Sequence, residues 1–237
     1  MQEIVRICLT AEPEPTVEDL TDEKQGKVAA TITQNFKLQP NPNSCEPTCI
    51  TNILHELSDR FKAPALRISE AKIDEAVGYK APRGYTPSRV MPGMKRILNP
   101  LGWTALQESK VSYPKMRKII HEKSWSYPLV SLSGEYMRDM LDYRTGVVDD
   151  HVVVVLRSAG DWTVVYDAYG RLSPRAKVKF RKFGPGIIPI RTPNFINYWT
   201  QTSIASKWVF WVAPLTKAEP LKPLESYNEP RKPVVTT

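Results

Sequence analysis

The sequence predicts an α+β fold in which a helix-rich first half packs on an antiparallel sheet built mostly from the second half. Apolar residues recur at helical spacing between positions 45 and 57. From position 127 onward the chain instead contains short apolar or alternating runs separated by turn residues, which is typical of strands. A length of 237 residues, with 41% hydrophobic and 24% charged residues, is sufficient for one soluble domain with a good-sized core.

The first predicted helix follows a polar, proline-rich loop and begins near Cys45. Its buried stripe consists of four apolar residues, Ile50, Ile53, Leu54 and Leu57. Pro47 lies in the first turn, where a helix tolerates proline, and Ser44 is placed to cap that end. A thiol there is close to the positive end of the helix dipole and to unpaired backbone N–H groups, which both stabilise a thiolate. Cys49, one turn further in, is expected to pack in the core.

The remaining elements follow in chain order. A helix over residues 69–78 is capped by Ser69 and stopped by Gly78, and a second, around 89–98, is bent or begun at Pro92. A short strand at 103–107 comes before a helix at 112–123 with Pro114 in its first turn. These helices are expected to form one helical lobe with the first. The predicted strands then cover residues 127–132, 151–156, 162–166, 176–183 and 208–212, with a helical segment at 195–202.

We expect three parts: an N-terminal extension over residues 1–33, a domain over residues 34–213 and a proline-rich extended tail over residues 214–237. No signal peptide and no apolar run of membrane-spanning length is visible. Three cysteines do not make a disulfide framework and fit a reducing compartment. A cytoplasmic protein is therefore expected.

The composition also bears on partners and cofactors. The formal charge of +8 comes from basic residues that are scattered, so a solvated basic face is favoured over a dedicated nucleic-acid site. No Cys/His cluster has zinc-site spacing, and no glycine motif matches GxxxxGK[ST] or GxGxxG. Neither a metal nor an organic cofactor is expected.

The residues with catalytic chemistry occur in the order glutamine, cysteine, histidine, aspartate. Gln39 lies six positions before Cys45, His151 opens the apolar strand HVVVVL, and Asp167 ends the next strand. In a papain-like site these are the oxyanion donor, the nucleophile, the general base and the residue that orients the base. The sequence also offers Gln34 for the glutamine, His55 and His121 for the histidine, and Asp149 and Asp150 for the aspartate.

The pattern Gln-x5-Cys-x-Pro-Thr-Cys on a helix, followed by a histidine at a strand start and an aspartate before a turn with Gly170, resembles the double-glycine leader peptidases. These are a branch of the papain-like cysteine peptidases that process peptides. The resemblance extends from about Gln34 to Pro214. It implies a papain-like fold, with a helical lobe and an N-terminal nucleophile helix packed on an antiparallel sheet. Glu46 departs from the pattern, since the family usually has a small residue there, and a carboxylate beside the nucleophile opposes thiolate formation.

The predicted function is that of a cysteine peptidase or isopeptidase. It would cleave peptide or protein substrates through an acyl-thioester on Cys45, with His151 and Asp167 completing a triad and Gln39 as oxyanion donor. Two competing functions stay open at this stage. One is a papain-like acyltransferase or transpeptidase that passes the acyl group to an amine or a thiol. The second is a non-catalytic basic binding module on the same fold.

Overall fold

The computed structural model describes residues 35–40, 44–79, 87–122, 127–142, 150–159, 161–173, 185–203 and 206–215. The α-helices within these ranges are α1 (Cys45–Arg60), α2 (Glu70–Val77), α3 (Pro87–Leu98), α4 (Tyr113–Glu122), α5 (Gly134–Met140) and α6 (Thr192–Thr200). The strands are β1 (Trp103–Glu108), β2 (Leu129–Ser133), β3 (Asp150–Ala159), β4 (Trp162–Tyr166), β5 (Ile187–Arg191) and β6 (Val209–Pro214).

The strands form one antiparallel sheet in the order β1-β6-β2-β3-β4-β5. β6, the last strand of the described ranges, therefore lies inside the sheet, between β1 and β2. β3 and β4 form a hairpin whose register shifts between Val155 and Arg157, which is the mark of a β-bulge. The predicted α+β class, with a helix beginning at Cys45 and an antiparallel sheet, is confirmed.

The sheet separates two hydrophobic clusters because its strands alternate side chains between the two faces. The first cluster joins α1, α2 and α3 to one face, where Val152 and Val154 of β3 contribute. The second joins α4, α5 and α6 to the opposite face, where Val153 and Val155 contribute. The helix α4 thus does not belong to the same layer as α1, which corrects the expectation of one helical lobe that includes residues 112–123. Local periodicity fixes the apolar stripe of α4 but not the face of the sheet that it covers.

The predicted local signals of α1 and α2 are mostly present. The four stripe residues of α1 are buried: Ile50, Ile53, Leu54 and Leu57. Ser69 caps α2 by accepting a hydrogen bond from the backbone N–H of Lys72 at 3.4 Å, and Gly78 ends it with a φ of 71°. Ser44 stands at the N-cap of α1, but its side chain does not make the predicted capping bond; its carbonyl accepts the Thr48 N–H at 3.0 Å instead.

The helix α3 begins at Pro87 and continues through Pro92, so the alternative in which the helix begins at Pro92 is wrong. Its buried face explains why the helix persists despite an internal proline, since Val90, Met94 and Leu98 are all at most 1% exposed. Gly93 permits close packing against α2, because a Cβ built at this position would lie 2.2 Å from the carbonyl oxygen of Ala76.

Two elements were not predicted. β5 contains Pro189, and a proline is unfavourable in a central strand. The structure places β5 at an end of the sheet order, beside β4, where a proline is tolerated. The helix α5 is only seven residues long and begins with Gly134, so its sequence carries little helical periodicity. The predicted strand at 176–183 lies outside the described residues, as do the extension 1–33 and residues 216–237 of the tail. The domain boundaries therefore stay a prediction.

Within the described part of the chain, the structure contains no helix that has both the length and the apolar character required to cross a membrane.

Candidate active site

Cys45 is the first residue of α1 and is partly exposed. The position leaves the thiol at the end of the helix where the backbone N–H groups lack intrahelical partners. The adjacent Glu46 is partly buried, and burial raises the pKa of its carboxyl group from 4.5 to about 7. Burial thus favours the uncharged form of this carboxyl group, which limits the repulsion between Glu46 and a thiolate.

His151 and Asp167 form a buried pair beside this helix end. The His151 Nε2 atom lies 2.8 Å from Oδ1 of Asp167, and the two residues are 2% and 0% exposed. Cys45 also acts on the His151 ring, because its interaction with the imidazole raises the pKa of His151. Because Nε2 faces Asp167, Nδ1 is the ring nitrogen left for the thiol.

The protonation of His151 follows from competing effects of these neighbours. Burial by itself lowers the pKa of His151, because it disfavours the imidazolium. The charges of Asp167 and Cys45, together with the hydrogen bond that His151 donates to Asp167, outweigh burial and raise this pKa from 6.5 to about 10. The arrangement thus favours an imidazolium ring between a carboxylate and a thiol near neutral pH.

The pairing of the strands explains why residues this far apart in sequence meet. His151 is the second residue of β3, and Asp167 directly follows β4. Because β3 and β4 are antiparallel, the start of one strand and the end of the next lie at the same end of the sheet. The α1 helix is fastened to this end through Cys49, whose Sγ lies 3.7 Å from the carbonyl oxygen of Val152.

Asp167 is held by two further donors that the sequence did not single out. The hydroxyl group of Tyr136 donates to Oδ2 at 2.8 Å, and the backbone N–H of Tyr169 donates to Oδ1 at 2.8 Å. Tyr136 also stacks on His151, with ring centroids 6.1 Å apart and an interplanar angle of 13°. The buried carboxylate therefore accepts three hydrogen bonds, counting the one from His151. The only signal for Tyr136 in the sequence was a tyrosine shortly after an apolar run.

Gln39 lies beside the turn that follows Asp167. Its backbone N–H donates to the carbonyl oxygen of Ala168 at 2.7 Å, and its side chain is partly buried. The structure thus brings Gln39 to the Asp167 end of the site, although residues 41–43, which connect it to the cysteine, lie outside the described ranges. Gln34, the second candidate glutamine, also lies outside them.

The second candidates for the histidine and the aspartate occupy different surroundings. His55 Nε2 lies 3.1 Å from the carbonyl oxygen of Ile68, late on α1. Asp150 Oδ1 accepts the backbone N–H of Ser203 at 2.8 Å. The side chain of His121 and the whole of Asp149 lie outside the described residues. Cys49 is fully buried as expected, and burial raises the pKa of its thiol well above the usual value.

Among the described residues, no group of three or more His, Cys, Asp and Glu side chains is arranged to hold a metal ion. No family model matches the sequence, and no curated protein matches it. Among solved structures, the chain is similar to the peptidase domain of Streptococcus ComA, a bifunctional ABC transporter involved in a quorum-sensing pathway. This similarity has a TM-score of 0.45 and 14% sequence identity, over 75% of this chain and 96% of that chain.

Proposed function

We propose that this chain is a cysteine peptidase or isopeptidase of the papain-like type, with Cys45 as nucleophile, His151 as general base and acid, and Asp167 as the residue that orients His151. The observation that carries the proposal is the buried His151 ring, which lies 2.8 Å from the Asp167 carboxylate and whose pKa is raised by Cys45 at the start of α1. Acyl transfer through a thioester requires a nucleophile beside a base, and a further group that orients the base.

In the acylation step, the Cys45 thiolate attacks the carbonyl carbon of the scissile amide and forms a C–S bond, and the electron pair of the carbonyl moves to its oxygen. The backbone N–H of Cys45 and the side-chain amide of Gln39 are the proposed donors to this oxyanion. The oxyanion then collapses, the C–N bond breaks, and the His151 imidazolium donates its proton to the leaving amine. The products are a free amine and an acyl-thioester on Cys45.

In the deacylation step, neutral His151 takes a proton from a water molecule, and the resulting hydroxide attacks the thioester carbonyl. The C–S bond breaks, the carboxylic acid leaves, and the thiolate–imidazolium pair forms again. Asp167 keeps its carboxylate throughout, and its hydrogen bond to Nε2 keeps Nδ1 directed at the sulfur and the reacting atoms.

The proposal is tested first by the reactivity of the thiols, which requires no knowledge of the substrate. Alkylation by iodoacetamide at mildly acidic pH, followed by mass spectrometry of each cysteine, should modify Cys45 about 100-fold faster than Cys8 or Cys49, because only an activated thiol is ionised there. A His151→Ala change should remove this difference. Three thiols that react at similar slow rates would contradict the proposal and favour a binding module.

The second test uses a mixture of peptides as substrate and detects new amino termini by mass spectrometry. Cys45→Ser should abolish cleavage while the folded state is retained, and Cys8→Ser is the matched control with the same chemical change. Cleavage that persists in Cys45→Ser would refute the site assignment. New amide or thioester products instead of free acids, formed when an amine or thiol is added, would identify the activity as acyl transfer.

A further inference from the structure

Tyr136 contacts both members of the buried pair, and this set of contacts is what a positioning residue requires. Its hydroxyl group donates to Asp167 Oδ2 at 2.8 Å, while its ring lies nearly parallel to that of His151, at 13°. Tyr136 is 0% exposed, so both contacts are shielded from bulk solvent. The Tyr169 ring contacts His151 in a different way, edge-on, with centroids 6.5 Å apart.

The chain delivers Tyr136 to this place through the register of two strands. Leu132 of β2 pairs with His151 of β3, and Ser133 pairs with Asp150. The helix α5 begins at the next residue, Gly134, so Tyr136 lies in its first turn. The tyrosine is therefore only four residues from the strand position opposite His151, and a change in the length of this connection would move it away from the ring.

Burial and the neighbouring charges keep the Tyr136 hydroxyl group protonated, so that it remains a hydrogen-bond donor. Burial raises the pKa of its hydroxyl group well above 10, and the Asp167 carboxylate raises it further, both by its charge and by the hydrogen bond; Tyr198 and Cys49 act in the same direction. The titratable groups that act on His151 are Asp167 and Cys45. A neutral hydroxyl group thus faces the carboxylate over the whole pH range in which a peptidase operates.

We propose that Tyr136 is a positioning residue of this site: its hydroxyl group fixes the rotation of the Asp167 carboxylate, and its ring fixes the plane of the His151 imidazole. The proposal rests on the proposed peptidase function for its effect on turnover. Its effect on His151 does not depend on that function and is measurable in the resting protein.

The hydroxyl group also sets how strongly His151 holds its proton. When His151 is protonated, the imidazolium already compensates the charge of Asp167. When His151 loses its proton, the buried carboxylate depends on its remaining donors, and a hydrogen bond from Tyr136 stabilises that state most. Removal of the hydroxyl group therefore makes the imidazolium a weaker acid, and a weaker acid protonates the leaving amine more slowly.

The experiment compares Tyr136→Phe with Tyr198→Phe, which is a matched control. Tyr198 donates its hydroxyl group to a different carboxylate, Asp139 Oδ2, at 2.7 Å, and its ring contacts Tyr136 edge-on at 5.8 Å. Both variants keep a phenyl ring in the same cluster. The measurements are the titration of His151 by NMR of protein labelled with ¹⁵N-histidine, with His151→Ala for assignment, and kcat/KM for peptide cleavage.

Tyr136→Phe should raise the midpoint of the His151 titration. It should also lower kcat/KM by about tenfold, mainly through kcat, because a tenfold loss of activity is at the lower end of what the removal of an orienting hydrogen bond costs. Tyr198→Phe should leave the midpoint unchanged. In an Asp167→Asn background, Tyr136→Phe should not move the midpoint further, because the hydroxyl group acts through that carboxylate.

An unchanged midpoint in a folded Tyr136→Phe variant would overturn the proposal, and so would an equal change in both tyrosine variants. If the wild-type protein cleaves no peptide but Tyr136→Phe moves the midpoint, the peptidase function fails while the positioning of His151 stands. If Tyr136→Phe does not fold, a second variant inserts one alanine before Gly134 and so displaces Tyr136 from the His151 ring. An unchanged midpoint of the His151 titration in that variant would equally overturn the proposal.

Discussion

Asp167→Asn removes the charge that opposes burial of the His151 imidazolium. The rise of the His151 pKa from 6.5 to about 10 corresponds to a net free energy on the order of 5 kcal/mol, the amount by which the interactions with Asp167 and Cys45 exceed the opposing cost of burial. In the variant, burial still disfavours the imidazolium and only Cys45 favours it. The pKa of His151 should therefore fall back toward 6.5, and kcat/KM should fall by about 100- to 10,000-fold, the range of a general acid–base contribution.

The assay is the NMR titration of His151, combined with the rate of Cys45 alkylation. Asp150→Asn is the matched control, because Asp150 is adjacent to His151 in sequence but accepts its hydrogen bond from Ser203. Alkylation of Cys45 near pH 7 should slow in Asp167→Asn and stay the same in Asp150→Asn. The reasoning is refuted if His151 still titrates near 10 without the Asp167 carboxylate.

The same change has a consequence for stability, and its sign follows from proton linkage. The pKa of His151 is higher in the folded state than in the unfolded state, so the stabilisation is fully present below about 6.5 and is lost as the pH rises through about 10. The free energy of unfolding of the wild-type protein should therefore decrease over this interval. Asp167→Asn should flatten this part of the profile, which urea denaturation at a series of pH values would measure.

Two further changes test the surroundings of the site and the core. Glu46→Gln should increase the rate of Cys45 alkylation a few-fold above pH 7 and leave this rate unchanged below about pH 6. The reason is that the Glu46 carboxyl group, with a pKa of about 7, carries its charge only in the higher range. Equal rates in the variant and the wild-type protein at every pH would show that Glu46 does not act on the thiol. Gly93→Ala should destabilise the protein by about 1–3 kcal/mol despite the higher helix propensity of alanine, because the new Cβ would lie 2.2 Å from the carbonyl oxygen of Ala76; a raised melting temperature would contradict this close contact between α2 and α3.

The sequence predicted the fold class and the approximate positions of most elements, because apolar periodicity and capping are local signals. It also singled out His151 and Asp167, which are hydrogen-bonded in the structure, and Cys45, which raises the pKa of His151. The catalytic roles of all three stay a proposal. The signal that the sequence carried for these residues was their position relative to predicted elements: a cysteine at a helix start, a histidine at a strand start and an aspartate at a strand end.

The features that the sequence did not predict depend on contacts between distant segments. Tyr136 belongs to the site because β2 pairs with β3 in one register, and no periodicity within α5 encodes that register. The face of the sheet on which α4 packs is likewise set by its neighbours in space. A proline such as Pro189 is unfavourable in a central strand, and the location of β5 beside a single described neighbour is what accommodates it.

The place of β6 inside the sheet determines when the fold can be completed during synthesis on the ribosome. In the described part of the chain, β1 joins the sheet through β6 alone, and about 100 residues separate the end of β1 from the start of β6. At roughly 5–20 residues per second, the ribosome makes this stretch in about 5–20 s. During that interval the nascent β1 lacks its partner strand, so this edge of the described sheet can form only after β6 has been made.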